Sequence, residues 1–231
     1  MTLRTIVNVA TGPRYIAGQE RLVDSFTPAH GGRSPSECGC CFKLYRDCFP
    51  AACPKHSETP YAFKPLALRW DRDAAGRKHS ALWCDASMIV NKPLDPIWEY
   101  IEEHGALLFQ DGWSVGQWCA DHALEQLGLT RDEAMTIPLI YGPIGLDFRN
   151  AKANEFLDEW CRYALDGVTF VGPWTNTNGE ASSDPRCLGH RHDITVAATI
   201  AHRMGIPLYQ GFLPFMEIGR ERGAIIQLVG A

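Results

Sequence analysis

Two short polar clusters hold the side chains whose types and spacing can do chemistry. In the first, the apolar run Ser80-Ala81-Leu82-Trp83-Cys84 ends in Asp85, followed by Ala86 and Ser87. An acid just beyond a strand end can hold a metal ion or orient a substrate, or it can cap the next turn. In the second, Gly189-His190-Arg191-His192-Asp193 stands directly before a stretch with Ile194, Ala197, Ala198, Ala201 and Met204 on one helical face. Asp193 suits the first turn of that helix. Histidine and carboxylate at loop ends also suit a hard divalent ion, Mg²⁺ or Mn²⁺, bound to a diphosphate. Lys64 opens a further expected helix and is either solvated or aimed at an anionic ligand.

A third cluster is made of thiols. Five of the nine cysteines lie between Cys38 and Cys53, and Cys38, Cys40, Cys48, Cys53 and His56 together could assemble Zn²⁺. Their spacing, C-x-C-C-x6-C-x4-C-x2-H, lacks the paired C-x2-C knuckles of structural zinc sites, so reduced thiols are the default. The scattered Cys84, Cys119, Cys161 and Cys187 read as small buried hydrophobes.

These clusters need a scaffold, and the hydrophobic pattern supplies one. Thr5–Ala10 reads as a strand closed by Thr11-Gly12-Pro13, with a helix over Tyr15–Phe26. Residues 27–60 are rich in Pro, Gly, Ser and Cys and read as a long loop around a short strand at Cys41–Tyr45. A helix is expected from Pro60 or Lys64 to Asp73, then the strand that ends at Asp85. Leu94, Ile97, Trp98 and Ile101 mark another helix, ended by Gly105, and Ala106–Phe109 a buried strand. Helical spacing is expected from Ser114 to Leu127, which places Trp118 in the core. Thr130 to Glu133 is a capping box. Ile137–Tyr141 reads as a strand near an edge because of Pro138, and Ala151–Leu165 as an amphipathic helix. Short strands are expected at Val168–Val171 and Ile206–Tyr209, with an edge strand at Ile225–Val229. The fold class is therefore α/β: one domain over residues 1–231, with a mixed, mostly parallel central sheet flanked by helices.

Composition narrows the function. The chain has 231 residues, 45% of them hydrophobic, and a net charge of −5, which gives no global footprint for nucleic acid. Arg14, Arg21, Lys43, Arg46 and Lys55 could still build a local positive surface. No apolar run reaches membrane-spanning length and Met1–Val9 shows no signal-peptide pattern, so a cytoplasmic location is expected.

In order along the chain, the Lys64 helix, the strand ending Leu82-Trp83-Cys84-Asp85-Ala86-Ser87 and the helix opened by Pro93-Leu94 resemble the middle of A-type-fold glycosyltransferases. Gly189-His190-Arg191-His192-Asp193 followed by a helix is similar to a His-Arg-x-Asp element in several bacterial and viral families of that fold. The resemblance implies a nucleotide-sugar donor over the N-terminal half of the sheet. It also implies an Asp-x-Asp motif that coordinates a divalent metal on the diphosphate. Asp85 matches the first acid, whereas Ser87 stands where the second is usual. His190 or His192 could supply the missing ligand, giving a metal set of Asp85, Ser87 and His192, or Lys64 could offset the phosphate charge instead. Thr11, Gly12 and Tyr15 fall where such enzymes receive the nucleotide base, with Lys64, Asp85, Ala86 and Ser87 completing the donor side. Asp193 is the candidate catalytic base, and His190, Arg191 and His192 are candidates for acceptor or diphosphate contacts. Trp113 and Trp174 lie near Gly-containing polar segments and could stack on a sugar or a base.

Two readings follow. One is a sugar transferase acting on a glycan, or on a modified base in DNA as bacteriophage enzymes do. The other is a zinc-stabilised interaction module that keeps the fold without the chemistry.

Overall fold

The computed structural model describes residues 3–49, 52–219 and 223–230. The chain opens with strand β1 (Leu3–Ala10), helix α1 (Gly12–Ala29) and strand β2 (Cys40–Arg46). Helix α2 (Phe63–Ala74), strand β3 (His79–Trp83), strand β4 (Met88–Val90) and helix α3 (Asp95–His104) follow. Strand β5 (Ala106–Ser114), helix α4 (Asp121–Gln126), helix α5 (Arg131–Met135) and strand β6 (Pro138–Asp147) come next. Helices α6 (Ala151–Ala164) and α7 (His192–Arg203) and strands β7 (Met216–Ile218) and β8 (Ile226–Leu228) complete it.

Five strands form the main sheet in the order β2-β1-β3-β6-β5. β1 pairs in parallel with β2 and β3, whereas β6 runs antiparallel to both β3 and β5, so the sheet is mixed as expected. Both faces are covered, and the strand period of two shows it. Ile6, Leu82, Leu107 and Phe109 point into one core with Leu22 and Phe26 of α1 and Trp98 of α3. Val7, Val9, Ala81, Trp83 and Leu108 point into the other with α2, α6 and α7. α1 and α2 therefore lie on opposite faces. α1 leads from β1 to β2 over one face and α2 leads from β2 to β3 over the other, so the strand order reverses around β1 and opens a crevice between the ends of β1 and β3.

A buried polar network holds that crevice in register. Asn8 on β1 donates to Cys84 O (2.6 Å) and accepts from Gln19 of α1 (2.7 Å), and Gln19 in turn accepts from Arg46 of β2 (2.7 Å). Asn8 and Gln19 are fully buried, so each lost partner would leave a costly orphan. α1 reaches this position because Gly18 lies directly against the loop after β3. A Cβ built there would stand 2.2 Å from Ala86 O.

Several expectations need correction. The helix expected from Ser114 to Leu127 is interrupted: β5 extends to Ser114, and Ser114 and Gln117 form a capping box around a single 3-10 turn. Arg131 then ties Gly116 O and Cys119 O together, and α4 starts only at Asp121. Pro138 does not mark an edge. It is the first residue of β6, at the fraying end of an interior strand, where a missing N–H is tolerated. Val168–Val171 forms no strand, because Asp166 captures the Val168 and Thr169 amides in a local turn. Of Ile206–Tyr209, only Tyr209 bridges to Phe109. β8 is central rather than marginal, between β4 and β7 in a small second sheet. Among the described residues no helix is long and apolar enough to cross a membrane.

Gly18 tests how the crevice is built. Helix propensity alone favours Ala at an interior helical position by about 1 kcal/mol. The clash with Ala86 O opposes this with an overpacking cost of about 1–3 kcal/mol. Gly18→Ala is expected to lower the urea midpoint; a raised midpoint would mean that α1 does not press on the Ala86 backbone.

Candidate active site

The crevice holds two adjoining cavities. The smaller, ≈ 230 Å³, is lined by Thr11 and Tyr15 at the start of α1, by Asp85, Ala86 and Ser87 after β3, and by His56 and Phe63. The larger, ≈ 380 Å³, is lined by Asp111, Trp113, Trp118, Tyr141, Trp174, Arg191 and Asp193. Tyr61, Lys64 and Asp85 belong to both and form the wall between them.

Lys64 is the hub of that wall. It enters from the first turn of α2, and its ammonium lies 3.2 Å from Asp85 Oδ1 and 3.3 Å from Asp193 Oδ2. Its side chain is 10% exposed and that of Asp193 is 4% exposed. Burial disfavours the Lys64 charge, but the two carboxylates outweigh it and hold its pKa above the ordinary value. Burial acts on Asp193 in the same direction as its neighbour Asp85, and Lys64 only partly offsets them, so Asp193 is pushed up to about 6. Asp193 Oδ2 makes no well-angled hydrogen bond, so charge rather than direction holds it to Lys64. The backbone there is fixed from behind, where Trp160 of α6 donates to Asp193 O (3.0 Å). A buried carboxylate poised near neutrality is well placed to accept a proton.

The sequence candidates divide between walls and supports. Thr11, Tyr15, Lys64, Asp85, Ala86 and Ser87 converge on the smaller cavity, and Trp113, Trp174, Arg191 and Asp193 on the larger. Gly12 stands behind the wall in a left-handed conformation (φ +76°) and donates to Asp47 Oδ1 (2.7 Å). His190 lines neither cavity. It is fully buried, with Nδ1 accepting from Ala120 N (3.3 Å) and Nε2 donating to Thr169 O (3.1 Å). His192 donates from Nδ1 to Phe170 O (2.9 Å) and packs beneath Tyr61 and Trp174. Trp118 is half-buried: it packs against the core and also lines the larger cavity, at the residue where the 3-10 turn ends. Tyr61, Asp111 and Tyr141 have no local sequence signal. Tyr61 adopts φ +62°, with its amide bonded to His56 Nδ1 (3.1 Å), which turns its ring over Lys64. Tyr141 flanks one slip of the β5–β6 register and Asp111 lies within the next, distortions that re-aim side chains.

The thiol cluster does not converge. Cys38 and Cys40 pack with one core and Cys53 with the other, so the sheet separates them. Burial pushes the Cys40 and Cys53 thiols up to about 11, which suits neutral thiols rather than zinc thiolates. Among the described residues no three His, Cys, Asp or Glu side chains gather as a metal site. The same holds for Asp85, Ser87 and His192. Asp85 Oδ1 already meets Lys64 and accepts from Trp83 Nε1 (2.9 Å), Ser87 brings no charge, and His192 lines neither cavity. That donor set does not fit a divalent ion, because a positive ammonium stands against its single available carboxylate.

No family model and no curated protein matches the chain. Solved structures do. Mouse xyloside xylosyltransferase 1 in its apo form superposes with a TM-score of 0.52 at 10% identity, over 99% of this chain and 97% of that one. The apo WbbM bifunctional glycosyltransferase superposes with a TM-score of 0.50 at 10% identity, over 94% of this chain. This chain spans 40% of the WbbM chain. The fold is that of the A-type glycosyltransferases, as the two polar motifs led us to expect.

The raised pKa of Asp193 leaves a signature in stability. Between the ordinary carboxylate value near 4 and about 6, the native state binds a proton that the unfolded chain has released. Asp193 therefore stabilises the fold below pH 4, and this contribution is lost as pH rises through 6. Relative to Asp193→Asn, the wild type should lose on the order of 2–3 kcal/mol between pH 4 and 7. Urea denaturation of both proteins across that range measures it, and a flat difference would show that Asp193 is not held in this environment.

Proposed function

We propose that this chain is a glycosyltransferase that moves a sugar from a nucleotide-sugar donor to an acceptor hydroxyl. One observation carries the reading: Asp193, a buried carboxylate lining the larger cavity, lies 3.3 Å from Lys64 in the wall that the two cavities share. The donor enters the smaller cavity, with the nucleotide along Thr11 and Tyr15 and the diphosphate toward Lys64. α1 begins there, but the Asp47 carboxylate accepts from Gly12 N (2.7 Å) and occupies its N-terminus, so Lys64 is the positive charge that faces the diphosphate. The acceptor enters from the larger cavity.

In the transfer step the acceptor oxygen bonds to the anomeric carbon as the bond from that carbon to the phosphate oxygen breaks. The acceptor proton passes to Asp193, and the nucleoside diphosphate leaves with the electron pair. Lys64 faces the charge that develops on the leaving group. As the diphosphate draws the ammonium toward itself, Asp193 loses part of its counter-charge and becomes the stronger base.

Thermal melting against UDP, GDP, ADP and CDP, each with EDTA or Mn²⁺, tests this reading. A nucleotide at a hundred times its Kd adds about 2.7 kcal/mol of stability, and each kcal/mol raises Tm by about 2–4 °C at this chain length. One nucleotide should give such a rise in EDTA, and Lys64→Met should remove it. A rise that requires Mn²⁺ would overturn the role of Lys64, and no rise with any nucleotide would overturn the function. Asp193→Asn should keep the nucleotide response and lower transfer by about 10²–10⁴-fold; near-normal turnover would reduce Asp193 to a structural acid.

A further inference from the structure

We infer that the larger cavity receives its acceptor as a neutral pyranoside of a glycan, stacked on Trp174 and Trp113, and not as a base within nucleic acid. This rests on the transfer reading above and names the acceptor class for the same site. Of the seven tryptophans, Trp83, Trp98 and Trp160 are buried at 1% or less, whereas Trp70, Trp113 and Trp174 are 44%, 45% and 51% exposed, and of these three Trp113 and Trp174 line one cavity. Two half-bare indoles on one cavity mark a binding surface.

Trp174 is also held in place before any ligand arrives. The Arg191 guanidinium lies 3.9 Å from its ring centroid and 3.5 Å from that of Trp118, and Nη1 donates to Trp174 O (2.7 Å). Gly189 allows this close passage, because a Cβ there would stand 2.2 Å from Trp174 O. Trp113 is braced edge-on against Trp118, with centroids 5.8 Å apart. A platform fixed in this way loses little freedom on binding.

Charge separates the two acceptor classes. Flat aromatic walls accept either the C–H face of a pyranose or a base. A nucleic acid, however, is held chiefly through phosphates, by several Lys and Arg side chains. The cavity offers three carboxylates, Asp85, Asp111 and Asp193, against two cations. Neither is left for an acceptor phosphate: Lys64 faces the donor diphosphate in the reading above, and Arg191 lies between two indoles. Asp111 stands beside Trp113 on the same wall, where a carboxylate can accept hydroxyls from the rim of a sugar ring. The site therefore favours a neutral polyhydroxyl ligand and repels a polyanion.

Saturation-transfer NMR on the whole chain, with the methyl glycosides of glucose, galactose, mannose, xylose and N-acetylglucosamine, tests the inference. Fluorescence anisotropy with a 20-nucleotide DNA, single-stranded and duplex, at 50 mM salt runs beside it. At least one glycoside should bind saturably, and Trp174→Ala and Trp113→Ala should each weaken it about tenfold. Neither DNA should bind. Salt-sensitive DNA binding that Trp174→Ala weakens would overturn the inference in favour of a nucleic-acid acceptor, and so would the failure of every glycoside. Both variants should keep the nucleoside-diphosphate melting response, since neither residue lines the smaller cavity. If that response is present and no glycoside binds, the acceptor class alone is wrong. If both are absent, the transfer reading fails as well.

Discussion

The buried ammonium of Lys64, shared between Asp85 and Asp193, is the constraint on which the rest of the site depends. A lone charge at this depth would be expelled or neutralised, and the carboxylate of Asp193 alone would meet the same fate. Together they hold three separate elements at one point: the first turn of α2, the loop after β3 and the start of α7. Such a cluster is weak evidence for stability, because desolvation consumes much of the attraction. Its value lies in the charge state it maintains. Two acids around one cation leave the deeper acid with a raised pKa and its Oδ2 without a well-angled hydrogen bond, and that acid lines the larger cavity beside the shared wall.

The sheet explains why these elements meet. Because β2 and β3 flank β1, α1 and α2 leave on opposite faces and the end of β1 cannot be closed by either. The crevice is a consequence of strand order, and the polar chain from Cys84 O through Asn8 and Gln19 to Arg46 keeps its two lips aligned. Gly18 lets α1 press against Ala86, which brings Thr11 and Tyr15 within reach of Asp85. An A-type glycosyltransferase fold with one acid after β3 instead of two is thus able to present positive charge from the Lys64 side chain.

The loop between α1 and α2 has a different meaning from the one its cysteines suggest. Spacing alone brings Cys38, Cys40, Cys48, Cys53 and His56 close in sequence, but β2 runs through the middle of the segment and places its ends on opposite faces of the sheet. The contribution of the loop to the site is His56, which holds Tyr61 in a left-handed turn over Lys64. A metal-stabilised module has no support from that arrangement.

The sequence by itself determined the elements and the ends at which chemistry could sit. The run from Ser80 to Cys84 reads as a strand buried on both faces, with Asp85 at its exit. Lys64 and Asp193 were legible as helix-start residues, Gly105 as a helix terminator, and Thr130 with Glu133 as a capping box. All of these depend on contacts within a few residues, which leave a period or a dipeptide in the chain. Only the tertiary structure decided that Lys64 joins Asp85 to Asp193, that His190 is spent on Ala120 and Thr169, and that Trp118 faces a cavity. The same is true of Tyr61, Asp111 and Tyr141, which enter the walls through a strained turn and a slipped register. These contacts link residues far apart in the chain, and their geometry depends on strand order and backbone irregularity, neither of which is written in local hydrophobic spacing.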